Sequence, residues 1–395
     1  MALTKFSKPE SFERLTPEQL QSQTIDLLRF PLAIMVIFIH MNPHMVSPVN
    51  GDISLFSGLG IFNIVAITLS RILSKIAVPT FFFISGFLFF YKNQTWQWST
   101  YKRKMQRRIH TLVIPYFLWN IVAFMLPLLM YTQAVIRHHI PMSDLIGLIA
   151  ENNWRIFYDI NTWSSGQVNW LGQALSSTGP FDLPLWFLRD LIVVTVFAPA
   201  IYWVVKRLKI WGIIVLFIAY ISRIWLQVPG FSIGAFFMFA LGAYFAVNSL
   251  NIVTIAQRYK ALIVPICIAL FVFSVTTYNT SNISFQTLSL VYVPFGVFTA
   301  FYIASKLIER YRIKPNKLLV SSCFFVYAFH GIWDSFGPIQ ISSRLLHCII
   351  PGESGIETVV VYLTGPFLTA FICIAILYLC RKICPKLILL LSGNK

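Results

Sequence analysis

A chain of 395 residues that is 57% hydrophobic, 16% aromatic and only 11% charged, with mean hydropathy +0.72, lacks the polar surface to cover a water-soluble globule. Lipid must be the solvent for most of its surface. The net charge of +17 sits mainly in alternate connections between apolar runs, which makes it a signal of topology and excludes nucleic acid as a partner.

The apolar runs match the ~20 residues that a helix needs to cross a hydrocarbon core, and they lack the alternation of a β-barrel. They predict an all-α integral membrane protein, a bundle of about ten transmembrane helices in a lipid bilayer. The spans fall near 25–46, 65–91, 109–131, 183–205, 210–228, 231–247, 261–278, 288–307, 318–336 and 359–379. Residues 53–64, apolar but interrupted by Gly and Ser, form either a re-entrant stretch or an early start to the second span. Basic residues gather before the first span, at 92–108, 206–209, 249–260 and 306–317, and after the last span. The positive-inside rule therefore puts both termini in the cytoplasm. Residues 1–24 become a cytoplasmic N-terminal segment, 25–384 the transmembrane domain and 385–395 a cytoplasmic tail. Long outer loops are expected at 132–182 and 337–357, the first carrying Trp154, Trp163 and Trp170 for an aromatic belt or for sugar rings. The cysteines show neither a disulfide framework nor metal-ligand spacing, so no metal is expected.

Ionisable residues inside spans are costly and read as functional by default. Arg29 and His40 share the first span, and at 100° per residue their separation returns to within about 20° of one helical face while climbing roughly 16 Å. His330, in a span that enters from the cytoplasm, reaches a similar outer depth, with Asp334 at i+4 to orient or charge-stabilise its imidazole. Trp186, Arg189 and Asp190 open the fourth span at the outer level, where Arg71 and Lys75 begin the second; a helix-anchor role accounts for at least half of these charges. On the cytoplasmic side Lys102, Arg103, Lys104, Arg107 and Arg108 enter the third span, a cluster suited to phosphate or to anionic lipid.

In these residues the chain resembles the acyltransferase-3 family, particularly its sugar O-acetyltransferases. The matches are Arg29-x10-His40, the segment from Ala77 to Leu88, Arg107-Arg108-Ile109 with Ile114-Pro115-Tyr116, Leu185-Trp-Phe-Leu-Arg189 and Tyr327-Ala-Phe-His330. One departure is Lys104-x-x-Arg107 where the family often has Arg-x-x-Arg. The resemblance implies an acyl-CoA donor, usually acetyl-CoA, used from the cytoplasm, and an acceptor hydroxyl on a glycan or lipid-linked sugar. It places the protein in the cytoplasmic membrane. It further implies that Arg29, Lys104, Arg107 and Arg108 hold the CoA phosphates, that Arg189 and Trp186 meet the acceptor, and that His40 is the base, with His330 and Asp334 orienting the acceptor or relaying its proton. Direct transfer and passage through an acetyl-imidazole both remain open. The rival reading is a transporter or flippase of a lipid-linked saccharide, whose midplane ionisable residues would serve passage; the lack of an internal repeat counts against it.

Overall fold

The computed structural model describes residues 15–41, 58–92, 96–278, 282–333, 336–351 and 355–393. The first helix, α1 (Pro17–His40), starts at a capping box: Thr16 Oγ1 accepts from Gln19 N–H and Gln19 Oε1 accepts from Thr16 N–H, with Pro17 at the first helical position. Its buried stripe of Leu20, Ile25, Leu28, Leu32 and Val36 recurs at helical spacing. The helix ends at His40 rather than at 46, and residues 42–57 lie outside the described segments.

The second predicted span is one continuous helical path of changing pitch. Helix α2 (Gly58–Ala66) passes into a π-helical stretch, Ile67–Ile72, then a 3-10 turn, Leu73–Ile76, and α3 (Ala77–Phe90). Of the two readings of 53–64, the early start therefore holds from Gly58 onward. A break and α4 (Trp98–Arg108) follow, with a second π-helical stretch, Ile109–Val113, before α5 (Ile114–Ile136). Such π segments mark places where helical geometry yields to a local demand, frequently a functional one.

The expected outer loop at 132–182 is built rather than open. It contains α6 (Met142–Glu151), a 3-10 turn at Trp154–Phe157 and an antiparallel hairpin, β1 (Asn161–Val168) with β2 (Ala174–Gly179). Gly166 and Gly172 take positive φ in this hairpin, which their lack of a Cβ permits. The chain continues through α7 (Trp186–Val196), α8 (Ala198–Arg207), α9 (Ile210–Ser222), α10 (Ile233–Val247), α11 (Ile252–Arg258), α12 (Lys260–Thr276), α13 (Ile283–Tyr311) and α14 (Lys317–Phe329). The second expected outer loop, 337–357, contains α15 (Pro338–Ile349), and α16 (Gly355–Ile383) and α17 (Pro385–Leu391) complete the path.

Among the described residues five helices are long and apolar enough to cross a membrane, including Gly60–Phe90 and Trp98–Ile136 taken whole. Two bent pairs add one span each, α7 with α8 at 62° and α10 with α11 at 97°. The remaining predicted spans are α9, α12 and α14, of 13, 17 and 13 residues. At 1.5 Å per residue these are shorter than a ~30 Å hydrocarbon core.

The tightest crossing joins α3 to α10. A Cβ at Gly86 would lie 2.1 Å from the Phe239 carbonyl oxygen, and one at Gly242 would lie 2.1 Å from that of Phe83. Two backbones thus meet with no side chain between them, the arrangement that small residues allow between apolar helices. At one end of the bundle lie the α4 cations, the start of α1 and the connection from α10 to α11, where Asn251 Nδ2 donates to Pro17 O at 2.9 Å. Helix α17 packs beside α5, its Leu391 carbonyl accepting from Trp119 Nε1 at 3.0 Å. The hairpin covers the opposite end, where Trp170 N–H donates to Ser222 O at 3.0 Å.

Candidate functional site

The two histidines meet at the hairpin end of the bundle. Their ring centroids are 5.2 Å apart with planes inclined at 56°, a ring contact with no hydrogen bond from His330 Nε2 across it. Both stand at helix ends rather than within helices: His40 is the last residue of α1, and His330 is the C-cap of α14. The last carbonyls of an α-helix have no partner within it. The His330 ring meets that need itself, with Nδ1 lying 2.7 Å from Tyr327 O and 3.2 Å from Val326 O. A carbonyl only accepts, so Nδ1 carries the proton and Nε2 carries a lone pair. That Nε2 is buried without a hydrogen-bond partner, and His330 as a whole is 0% exposed. His40 is only partly buried, which makes it the member of the pair that a substrate can touch. Asp334, expected to orient His330, lies outside the described residues.

Three further groups, Ser70, Arg71 and Tyr362, surround the pair, and of these only Arg71 stood out in the sequence. Ser70, in the first π-helical stretch, donates to the Phe38 carbonyl and shares a 2.5 Å hydrogen bond with Tyr362 OH, joining α1 to α16. Arg71, next along the same stretch, lies within electrostatic reach of both His40 and Tyr362, and its Nε is buried without a partner. The sequence signal for Arg71 was its charge at the start of an apolar span, which equally fits a helix anchor.

The predicted cations divide into separate groups. Lys104 and Arg108, one turn apart on α4, dock on the end of α3: Lys104 Nζ donates to Phe89 O and Arg108 Nη2 donates to Ser85 Oγ at 3.0 Å. Both stand over the Phe89 ring, at 5.1 and 5.8 Å from its centroid. A cation is favourable at a helix C-terminus, where the carbonyl ends of the peptide dipoles converge. Arg107 is exposed. Arg29 pairs instead with Asp26 at 3.0 Å, while its carbonyl accepts from Cys323 Sγ on α14 at 3.2 Å. Beside it an open pocket of about 500 Å³ is lined by Asp26, Lys314, Lys317 and Ser321 among others.

Arg189 is engaged by protein. Its Nε and Nη2 reach Asp190 Oδ1 at 3.0 Å each, Nη1 donates to Tyr158 O at 2.6 Å and Thr178 Oγ1 at 3.2 Å, and Nη2 donates to Thr178 O at 3.1 Å. Of the five guanidinium donors four are hydrogen-bonded, and Nη2 also lies at ion-pair distance from Asp190. Arg189 therefore clamps the hairpin and the preceding turn to α7. Trp186 and Arg189 both line a cavity of about 400 Å³ between the hairpin, α7 and the connection from α9 to α10.

Apolar helices of spanning length, with ionisable groups gathered at their ends, define a multi-pass membrane protein. The described residues contain no group of His, Cys, Asp and Glu able to hold a metal ion. A protein-family model described as an acyltransferase domain matches residues 23–380, and the chain belongs to that acyltransferase-3 family. It is similar to the succinoglycan biosynthesis protein ExoH of Rhizobium meliloti (strain 1021), 24% identical over 393 residues that cover 95% of this chain and 92% of that protein. No solved structure matches it significantly.

Proposed function

We propose that the protein is an O-acyltransferase that takes an acyl group, acetyl in the simplest case, from cytoplasmic acetyl-CoA. The acceptor is a hydroxyl of a glycan or lipid-linked sugar at the other face of the cytoplasmic membrane. The observation that carries the reading is the His40–His330 contact at the end of the bundle remote from the basic cluster. The polysaccharide acceptor is supported by the name of the relative, a succinoglycan biosynthesis protein. In this reading all ten apolar segments span, the short ones with help from adjoining non-helical backbone. The basic end with both termini faces the cytoplasm and the hairpin faces outward.

The donor's phosphates bind among the cytoplasmic cations, Arg29 with Lys314 and Lys317 on one side and Lys104, Arg107 and Arg108 on the other. A thioester arm then has to climb roughly 16 Å, the rise from Arg29 to His40. There His40 removes the proton of the acceptor hydroxyl as that oxygen attacks the thioester carbonyl carbon. The oxyanion that forms is stabilised by Arg71. Collapse re-forms the carbonyl, breaks the C–S bond, and returns the proton from His40 to the leaving CoA sulfur. His330 accepts from the second nitrogen of His40 through its free Nε2, holding that ring in one tautomer and stabilising it while charged. Trp186 and the Arg189 clamp shape the acceptor side.

The test is acyl transfer by purified protein in lipid nanodiscs given radiolabelled acetyl-CoA, with and without a saccharide acceptor. Slow thioester hydrolysis alone, faster CoA release with acceptor, and loss of both in His40→Ala are expected. Intact acetyl-CoA in every condition, from protein that still binds the donor, overturns the reading.

A further inference from the structure

The outer cavity carries a charge that no ion pair among the described residues balances. Arg223 follows α9 in a left-handed conformation, φ +56°, lines the cavity and is only 5% exposed. Its Nη1 donates to Val168 O at 3.0 Å, but its Nε is buried without a partner. Two residues on, Trp225 lines the same cavity, and its Nε1–H is likewise buried without a partner. Lys75 lies within electrostatic reach of Arg223 and donates to Ser289 Oγ at 2.7 Å. Among the described residues neither cation forms an ion pair, whereas Asp190, the acid of the cavity wall, is already matched by Arg189.

Burying one charge without a counter-charge is costly, and a second like charge within electrostatic reach adds to that cost. Such an arrangement is retained where a ligand supplies the missing anion. The rest of the lining says what carries that anion. Trp163 and Trp186 offer flat apolar faces, and Gln167, Gln227 and Thr178 offer both donors and acceptors. Planar apolar faces interleaved with amides and hydroxyls suit a sugar ring, which presents C–H faces and a rim of hydroxyls. The volume, about 400 Å³, lies within the ~300–1,000 Å³ usual for small-ligand sites.

We propose that this cavity is a binding subsite for an acidic sugar unit, one bearing a carboxylate or phosphate that accepts from Arg223 Nε and Trp225 Nε1. The inference rests on the glycan-acceptor reading above and names the class of acceptor. The wall that holds Trp186 and Arg189 continues directly into the histidine pair. Tyr327, whose carbonyl fixes His330, donates its hydroxyl proton to the Pro184 carbonyl just before α7, and its ring stacks edge-on to Phe187 at 5.5 Å. An acidic unit held here anchors a neighbouring sugar for acylation at His40.

The experiment measures binding in the absence of any acyl donor, so its result is independent of whether transfer occurs. Ligand-observed NMR on the full-length protein in detergent would give dissociation constants for methyl glucuronoside, glucose 6-phosphate and methyl glucoside. At least one acidic sugar should bind roughly tenfold or more tighter than the neutral one, since hydrogen bonds to a charged group are the strong ones. A preference for glucuronoside assigns a carboxylate, and a preference for glucose 6-phosphate assigns a phosphate. Arg223→Gln should reduce the preference to below about threefold. Trp225→Phe, which removes only the N–H and keeps the packing, should weaken the acidic ligand and leave the neutral one unchanged. Acetyl-CoA hydrolysis by the same preparations should match wild type, which separates failure of this subsite from failure of the enzyme. Equal binding of all three sugars by wild type, or a preference for acid that survives both substitutions, overturns the proposal.

Discussion

Replacing His330 by Asn tests the division of labour within the histidine pair. An Asn side chain places an N–H donor where Nδ1 stands, so the Tyr327 carbonyl keeps its partner and the end of α14 keeps its cap. It has nothing to offer in place of Nε2. If that nitrogen accepts from His40, its removal costs one hydrogen bond to a group that is charged in the transition state, about 1.5–3 kcal/mol. At 1.36 kcal/mol per decade, kcat should fall roughly 10- to 150-fold while the KM for acetyl-CoA stays within about twofold. His40→Ala, which removes the base, should cost 10²–10⁴-fold, so His330→Asn should be the milder variant. The decisive measurement is the double variant. Because Nε2 acts only through His40, the pair His40→Ala with His330→Asn should be no slower than His40→Ala alone. Multiplying defects would mean that the histidines act independently, and a well-folded His330→Asn protein with unchanged kcat would remove His330 from the chemistry. His330→Ala is a poorer probe, since it leaves a buried carbonyl unpaired, at a cost of about 1–3 kcal/mol in stability.

Other substitutions test the surrounding parts. Arg71→Gln should lower kcat by roughly 10²–10³ with donor affinity intact, as expected for an oxyanion partner, and Arg71→Lys should recover part of the loss; equal rates return Arg71 to a helix anchor. Arg107→Gln with Arg108→Gln should weaken acetyl-CoA binding by roughly tenfold or more, read by titration in nanodiscs, and unchanged affinity would assign these residues to topology or lipid. Gly242→Ala should lower the thermal midpoint, because the new methyl meets the Phe83 carbonyl and overpacking costs about 1–3 kcal/mol, whereas Gly147→Ala, with open space around it, should not. A reporter fused after Lys395 should read cytoplasmic and one inserted in the turn at 169–172 external; inverted signals would put His40 on the cytoplasmic side and remove the cross-membrane path.

What could be read without coordinates depended on which geometry each inference needed. Rise and pitch belong to a single helix, so the matched depth of His40 and His330 followed from residue numbers and a presumed direction of entry, and the rings do lie side by side. The carbonyl partners of His330 did not follow, since α14 stops at Phe329 and the imidazole turns back on the carbonyls of its own last turn. Asp334, expected at i+4, lies outside the described residues. Arg189 was legible as a buried charge but not as a clamp, because its partners Tyr158 and Thr178 lie in a Ser- and Gly-rich stretch whose hairpin has little apolar pattern. Arg223 and Trp225 gave no signal, since a cation just past an apolar run is the ordinary mark of a span's end.

The short helices give these positions a common physical basis. Helices α9 and α14, of 13 residues each, climb only about 20 Å, yet they carry Arg223 and His330 at their upper ends. Non-helical backbone at membrane depth is tolerated only where protein or water surrounds it, because lipid cannot satisfy its peptide groups. Protein does so above α14: Trp333 Nε1 donates to Ala123 O at 2.9 Å, and Trp170 N–H meets the Ser222 carbonyl at the top of α9. The hairpin thus supports the early end of α9, while the His330 ring and Trp333 do so for α14. By stopping early the two helices leave polar groups at the hairpin end, the histidine pair at the top of α14 and Arg223 in the cavity at the top of α9. An arrangement of that kind lowers the height that a thioester arm must climb from the cytoplasmic cations and brings the acceptor down to meet it.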